Sequence, residues 1–125
     1  MNTHTSGRLG ESLAEEYLVR NGYKLLFKNW TCRWGEIDLV MQKGQKVAFV
    51  EVKFRSSTRL GYPHQSVTRR KLKVLSRTIT MFMLKEAKLL HNLYPSGSFE
   101  VSFGVVQVIK TGSEVLVSHF ENVPL

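Results

Sequence analysis

The sequence predicts an α/β fold in which helices flank a mixed β-sheet, with the element order α-β-β-β-α-β-β. Two stretches have apolar residues at helical spacing, and five short stretches are rich in β-branched and aromatic residues. A chain of 125 residues leaves room for one core, so a single domain over residues 1–125 is expected.

The first helix is predicted over residues 7–20. Ser6 can act as its N-cap, and Gly22 is placed to end it. An apolar stripe on this helix should face the core, formed by Leu9, Leu13, Tyr17 and Leu18.

Three strands are predicted next, over residues 23–29, 36–42 and 46–55, because these stretches are short and rich in β-branched or aromatic residues. The segment KGQK at 43–46 joins the last two. Gly44 at the first central position suits a two-residue type II′ turn, so a tight hairpin is expected.

A polar loop over residues 56–63 precedes a long second helix, predicted from about residue 65 to residue 91. Its basic residues lie beside an apolar side formed by Leu72, Leu75, Ile79, Phe82, Met83 and Leu90. A turn region at 92–98 leads to the last two strands, at 101–109 and 114–120, which residues 111–113 join.

Positive charge is concentrated in one segment. The net charge is +8, yet residues 52–85 contain nine basic residues and no carboxylate, so that segment alone carries +9. This pattern predicts a polyanionic partner, nucleic acid and DNA in particular, with a solvated basic face as the alternative. The predicted phosphate-contacting residues are Arg55, Arg59, Arg69, Arg70, Lys71, Lys73 and Arg77.

Several classes of protein are excluded. No apolar run approaches the roughly 18 residues that span a bilayer, and the first ten residues lack a signal-peptide layout. Cys32 is the only cysteine and the four histidines are scattered, which excludes a disulfide framework and a zinc site. We therefore expect a cytoplasmic protein without a membrane partner.

The hairpin register places charged side chains together. If Gly44 and Gln45 form the turn, Asp38 lies opposite Glu51 and Glu36 opposite Lys53, all on one face. Ile37, Leu39, Val50, Val52 and Phe54 then face the core on the other side. Facing carboxylates repel each other, but Mg²⁺ or Mn²⁺ would reverse the sign of that interaction.

Lys53 on the same face could stabilise charge on a phosphate or help to position an attacking water. A carboxylate-bound metal, a lysine and a basic segment together suit metal-dependent phosphodiester hydrolysis. The alternative is that Glu36 and Lys53 form an ordinary surface ion pair beside solvated Asp38 and Glu51.

Asp38, twelve further residues and then Glu51-Val52-Lys53 resemble the PD-(D/E)xK signature of restriction-endonuclease-like nucleases and archaeal Holliday-junction resolvases. More closely, GEIDLV at 35–40 and FVEVKFR at 49–55 resemble the YraN family of small bacterial proteins. The resemblance covers nearly the whole chain, including GRLGESLA at 7–14, Gly61, SVTRRK at 66–71 and residues 102–106.

This resemblance implies a restriction-endonuclease-like core of αβββαβ order and a nuclease active site. It implies that Asp38 and Glu51 bind the metal and that Lys53 assists the nucleophile. Glu11 matches a position where related resolvases have a further acidic residue, which makes it another catalytic candidate. The alternative for Glu11 is an acid favoured near a helix N-terminus by the macrodipole.

One stretch departs from the family pattern. Relatives usually have Arg-Phe-Asp in the late strand, whereas this chain has Ser102-Phe103-Gly104. A weakened or diverged site would explain the difference.

Three functions are therefore open. The first is a divalent-metal-dependent DNA endonuclease acting on branched or otherwise structured DNA. The second is a nucleic-acid-binding module that keeps the fold without catalysis, and the third is a protein-interaction role for the basic face. A homodimer would let an endonuclease with one site per domain cut both strands, but the sequence leaves this open.

Overall fold

The computed structural model describes residues 3–55 and 68–125 and has the predicted order of helices and strands. The second helical segment is divided in two. In chain order the elements are α1 Thr3–Arg20, β1 Lys24–Cys32, β2 Gly35–Lys43, β3 Lys46–Arg55, α2 Arg69–Lys85, α3 Ala87–Leu93, β4 Glu100–Thr111 and β5 Glu114–Phe120.

The five strands form one mixed sheet in the order β1-β2-β3-β4-β5. Neighbouring strands are antiparallel except β3 and β4, which pair in parallel from Lys46↔Glu100 to Arg55↔Ile109. Parallel neighbours need a long crossover connection, and here that connection contains α2 and α3. The predicted mixed sheet flanked by helices is confirmed.

Helix α1 begins earlier than predicted and ends where predicted. It starts at Thr3, so Ser6 lies inside the helix and the prediction that Ser6 is the N-cap is wrong. A capping serine contributes only about 1 kcal/mol, which does not decide by itself where a helix begins. Gly22 has a φ of 91°, and Tyr23 N–H donates to the Leu18 carbonyl at 3.0 Å, as in a Schellman C-cap.

The β2–β3 hairpin has the predicted register. Gly44 has a φ of 58°, and the ladder runs from Lys43↔Lys46 to Leu39↔Val50. The ladder ends there, one pair before Asp38 and Glu51 would face each other. The two strands therefore separate at the position where the candidate site was predicted.

Apolar side chains fill both faces of the sheet. Ala14 and Leu18 of α1 pack with Leu39, Val50 and their neighbours on one face. On the other face the α2 and α3 residues Leu75, Ile79, Phe82 and Leu90 pack with the sheet, as the predicted apolar side of the second helix requires.

Ile37 is an exception to the predicted faces. It packs in the cluster under α2, whereas Leu39, two residues on, packs in the cluster under α1. Strict alternation is broken between them because β2 leaves β3 at this point, and because Asn29 on the neighbouring strand has a φ of 54°. The prediction that Ile37 and Leu39 share one face is wrong.

Strand β1 extends to Cys32, three residues beyond the prediction, because Trp30 is buried and pairs with Ile37. The second helical segment breaks at Glu86, so the prediction of one helix to residue 91 is also wrong. The Trp30 indole N–H donates to Glu86 at 3.3 Å, and α3 then directs Leu90 into the core. The predicted helix start near residue 65 lies outside the described residues.

None of the helices in the described part of the chain is long and apolar enough to cross a membrane.

Candidate metal and phosphate site

The site is centred where β2 and β3 separate. Asp38 Oδ2 accepts a hydrogen bond from Val52 N–H at 2.8 Å. The carboxylate of Asp38 on β2 thus accepts the Val52 N–H of β3, in the place that a backbone carbonyl would take in a regular ladder. This contact holds the two strands apart at a defined width and fixes the orientation of Asp38.

Three carboxylates converge at Asp38. One oxygen each from Glu11, Glu36 and Asp38 can be chosen so that all three lie within 4.8 Å of one another. Glu11 comes from α1, and its Oε1 accepts a hydrogen bond from Asn29 Nδ2 at 3.1 Å. The structure therefore places the predicted residue Glu11 beside Asp38 and adds Glu36, which the sequence analysis considered only as an ion-pair partner.

Glu51 faces two lysines. Its Oε1 lies 3.2 Å from Lys53 Nζ and 3.5 Å from Lys71 Nζ. The surface ion pair considered between Glu36 and Lys53 is wrong, because Lys53 pairs with Glu51 instead. Lys71, predicted only as a phosphate contact, lies at the site itself.

Acidic and basic groups border the same cavity, which has a volume of about 130 Å³. Its charged lining is Glu36, Asp38, Glu51 and Lys71, and its apolar lining includes Ile37, Val50, Leu75 and Phe103. The cavity is therefore a charged recess on an apolar floor, where charge interactions are stronger than in open water.

Burial and neighbouring carboxylates shift the ionisation of Asp38. Burial, together with the charges of Glu51, Glu11 and Glu36, raises the pKa of Asp38 from 3.8 to about 6, against the opposing hydrogen bond from Val52 N–H. Burial and the neighbouring Lys71 lower the pKa of Lys53 despite its contact with Glu51. Both shifts indicate that the site holds its charges at a cost in the absence of a cation or a phosphate.

The donor set at this site fits a hard divalent cation. The converging groups are carboxylate oxygens, which Mg²⁺ and Mn²⁺ prefer, and the cluster contains neither histidine nor cysteine. Three carboxylates this close repel one another unless a cation or protons neutralise them. The acidic cluster of Glu11, Glu36 and Asp38 could therefore hold a metal ion.

Most of the predicted phosphate-contacting residues are exposed on α2. Arg69, Arg70, Lys73 and Arg77 lie there with Lys71, and Arg55 ends β3 two residues after Lys53. Arg55 Nε is buried and has no hydrogen-bond partner among the described residues. Arg59 lies outside the described residues.

Gly104, at which this chain departs from the family pattern, lies against β5. A Cβ atom at this position would come within 3.0 Å of the Phe120 carbonyl oxygen and 3.3 Å of His119 Nε2. Those groups and Glu121 are its three nearest neighbours, and none of them lines the charged cavity. The absent side chain therefore concerns the packing of β5 in this chain.

Two of the site residues were detectable only in part from the sequence. The predicted hairpin register already placed Glu36 on the same face as Asp38, but it gave no sign that both converge with Glu11. Lys71 could not be assigned to the site in this way, because its place depends on how α2 packs across β2.

The fold and the site together define a mixed α/β protein whose central strands separate around a carboxylate cluster faced by lysines. A family model described as "Uncharacterised protein family UPF0102" matches residues 10–108. This chain belongs to the UPF0102 family, which confirms the YraN-like resemblance at the level of the family.

Relatives align over most of their length. The chain is 38% identical over 116 residues to a "UPF0102 protein" of Syntrophomonas wolfei, covering 93% of this chain and 94% of the relative. It is 34% identical to those of Carboxydothermus hydrogenoformans and Geobacter metallireducens, over 98% of this chain in both cases and 98% and 93% of the relatives.

Proposed function

We propose that this protein is a divalent-metal-dependent endonuclease that hydrolyses phosphodiester bonds in DNA. The observation that carries the proposal is that Glu36, Asp38, Glu51 and Lys71 line one recess. Glu11 lies beside Glu36 and Asp38, and Lys53 lies beside Glu51. The resemblance of Asp38 and Glu51-Val52-Lys53 to the PD-(D/E)xK signature supports the same reaction and a restriction-endonuclease-like core.

Asp38 and Glu51 would hold Mg²⁺ or Mn²⁺, together with Glu11 and Glu36 from the acidic cluster. When bound, such an ion polarises the phosphate and lowers the pKa of a water. The protein keeps Asp38 in one orientation through Val52 N–H, which prepares the carboxylate before any ion arrives.

Lys53 and Lys71 would act on the phosphate side of the site. Because its pKa is lowered, Lys53 Nζ can take a proton from an attacking water more readily than an exposed lysine can. Lys71 Nζ, also beside Glu51, supplies positive charge where negative charge develops on the phosphate oxygens. The exposed basic residues of α2 would contact the phosphate backbone of the DNA strand that is being cleaved.

Cleavage assays with Mg²⁺ or Mn²⁺ on duplex, flap, junction and single-stranded DNA test the proposal. Asp38→Asn and Glu51→Gln should each reduce cleavage by about 100-fold or more, since each removes a carboxylate charge that would hold the metal ion. Glu114→Gln is the matched control, because Glu114 is exposed in the β4–β5 turn region. A wild-type protein that leaves every one of these substrates intact would contradict the proposal.

A second function is favoured by the exposure of the α2 basic residues, which does not depend on the carboxylates. A non-catalytic nucleic-acid-binding module would bind DNA with strong salt dependence, and Glu51→Ala would leave that binding unchanged. If instead DNA binds no better than a neutral polymer near physiological salt, the basic face serves a protein partner.

A further inference from the structure

Trp34 lies two residues before Glu36, which lines the charged recess, and it is exposed. Its side chain is 45% exposed in the turn between β1 and β2, whereas Trp30 in the same region is buried in the core. Exposed single apolar residues are common, so exposure alone decides nothing. The surroundings of Trp34 are what point to a ligand.

The turn that carries Trp34 is packed against the recess. Gly35 lies so close to α2 that a Cβ atom there would come within 2.6 Å of Thr78 Oγ1 and 3.3 Å of Val74 Cγ1. Val74 and Thr78 both line the recess, as does Glu36, the next residue in the chain. The close approach of Gly35 to α2 therefore places the turn beside residues that line the recess, while the ring of Trp34 stays exposed.

Two guanidinium groups lie over the ring of Trp34. Arg33 Cζ is 5.3 Å and Arg77 Cζ is 5.5 Å from the ring centroid. Both arginines are exposed, and a cation–π contact at an exposed site is weaker than the stacking of a nucleobase on an aromatic ring. A base can therefore replace one guanidinium on the ring, and the released arginine is then free to contact a phosphate.

We propose that Trp34 is a stacking platform for one unpaired nucleobase beside the scissile phosphate, so that the substrate is DNA with a single-stranded nucleotide at the cleavage site. Bases inside a duplex are already stacked on their neighbours, so only an unpaired or displaced base can use the ring. The inference rests on the proposed nuclease function for the position of the phosphate, but base stacking can be measured without catalysis.

The experiment compares a blunt duplex with the same duplex bearing a single-stranded overhang, in EDTA so that no cleavage occurs. Wild type should bind the overhang duplex more tightly. Trp34→Leu should lose about 5- to 100-fold of affinity for it and change little with the blunt duplex. Trp34→Phe should stay within about 2-fold of wild type, because the ring still stacks.

Tryptophan fluorescence gives a second reading of the same event. The overhang should quench the emission of wild type, and Trp34→Phe should abolish the quenching while binding persists, because only the buried Trp30 remains. Leu84→Ala is the control, because Leu84 is an apolar residue on α2 that is 68% exposed. This variant should behave as wild type.

Two results would overturn the inference. One is equal binding of both duplexes by wild type and Trp34→Leu, and the other is an emission that the overhang does not change. Failure of the proposed function would give a different pair of results. No substrate would be cut with Mn²⁺, but wild type would still bind the overhang duplex more tightly than the blunt duplex in EDTA. Conversely, cutting of the overhang duplex at equal rates and with equal affinity by wild type and Trp34→Leu would keep the nuclease and remove the stacking role.

Discussion

The ionised carboxylate of Asp38 destabilises the folded protein when no cation is bound. Its carboxylate is partly buried, accepts a hydrogen bond from Val52 N–H, and lies near three other carboxylates. A group whose pKa is raised on folding destabilises the folded state at pH values above that raised pKa. Asp38 therefore lowers stability at neutral pH, which is expected of a residue kept for binding.

Replacing Asp38 by asparagine should stabilise the metal-free protein. The amide keeps an oxygen for Val52 N–H but removes the charge, and a pKa raised from 3.8 to about 6 corresponds to about 3 kcal/mol at most. Urea unfolding in EDTA should show a gain approaching this value near pH 8. The gain should shrink to under about 1 kcal/mol near pH 4, where the aspartic acid is largely protonated in the folded state.

The matched control for this stability measurement is Glu114→Gln, because that carboxylate is exposed near a turn. It should change the unfolding free energy by less than about 0.5 kcal/mol at either pH. A lower unfolding free energy for Asp38→Asn than for wild type at pH 8 would show that the carboxylate stabilises the fold and would contradict this account.

At the scale of elements, the site depends on how closely the β1–β2 turn packs on α2. Gly35 allows that approach because any larger residue would meet Thr78, whose hydroxyl already donates to the Val74 carbonyl at 2.8 Å. The closeness of this contact sets the position of Glu36 and Asp38 relative to Lys71. Packing between a turn and a helix thus decides the width of the recess.

Gly35→Ala should lower the unfolding free energy by about 1–3 kcal/mol, since the added methyl group overpacks the contact with Thr78. Gly7→Ala is a suitable control, because nothing lies within 4 Å of a Cβ atom at that helical position. Alanine there should be neutral or stabilising by up to about 1 kcal/mol. Equal effects of the two substitutions in thermal unfolding would contradict the proposed packing.

Local rules predicted the elements better than they predicted the site. The Gly44 turn set the hairpin register, and Gly22 marked the end of α1, because both depend on near neighbours in the chain. The break at Glu86 has no glycine or proline to mark it, and the Glu86 side chain accepts a hydrogen bond from the distant indole of Trp30, a contact that near neighbours in the chain do not predict. The separation of β2 from β3 likewise follows from a side-chain contact, Asp38 with Val52, that strand pairing rules do not contain.

At the scale of the whole molecule, charge is distributed unevenly. Acidic groups converge from α1 and β2, whereas exposed basic residues follow one another along α2. A phosphate backbone lying along α2 would meet positive charge before it reached the carboxylates. In the proposed function, the residues that would hold the phosphate backbone are thus separate from those that would carry out cleavage.

Binding of duplex DNA should therefore depend steeply on salt. With about five phosphate contacts, log K against log salt should have a slope of about −4.5, measured by fluorescence anisotropy between about 50 and 200 mM salt. Lys73→Ala should make the slope shallower by about 0.9, because one phosphate contact is lost. Lys88→Ala on α3 is the control and should leave the slope as it is. A slope near zero for wild type would rule out the basic face as a DNA-binding surface.

The most direct test of the central claim is calorimetric titration of Mn²⁺ into wild type and Asp38→Asn. Wild type should bind the ion, and Asp38→Asn, while folded, should not. Affinity of wild type should fall as the pH is lowered through about 6, because a proton competes for Asp38. Equal binding by both proteins, or no binding by wild type, would contradict the assignment of a metal site to this carboxylate cluster.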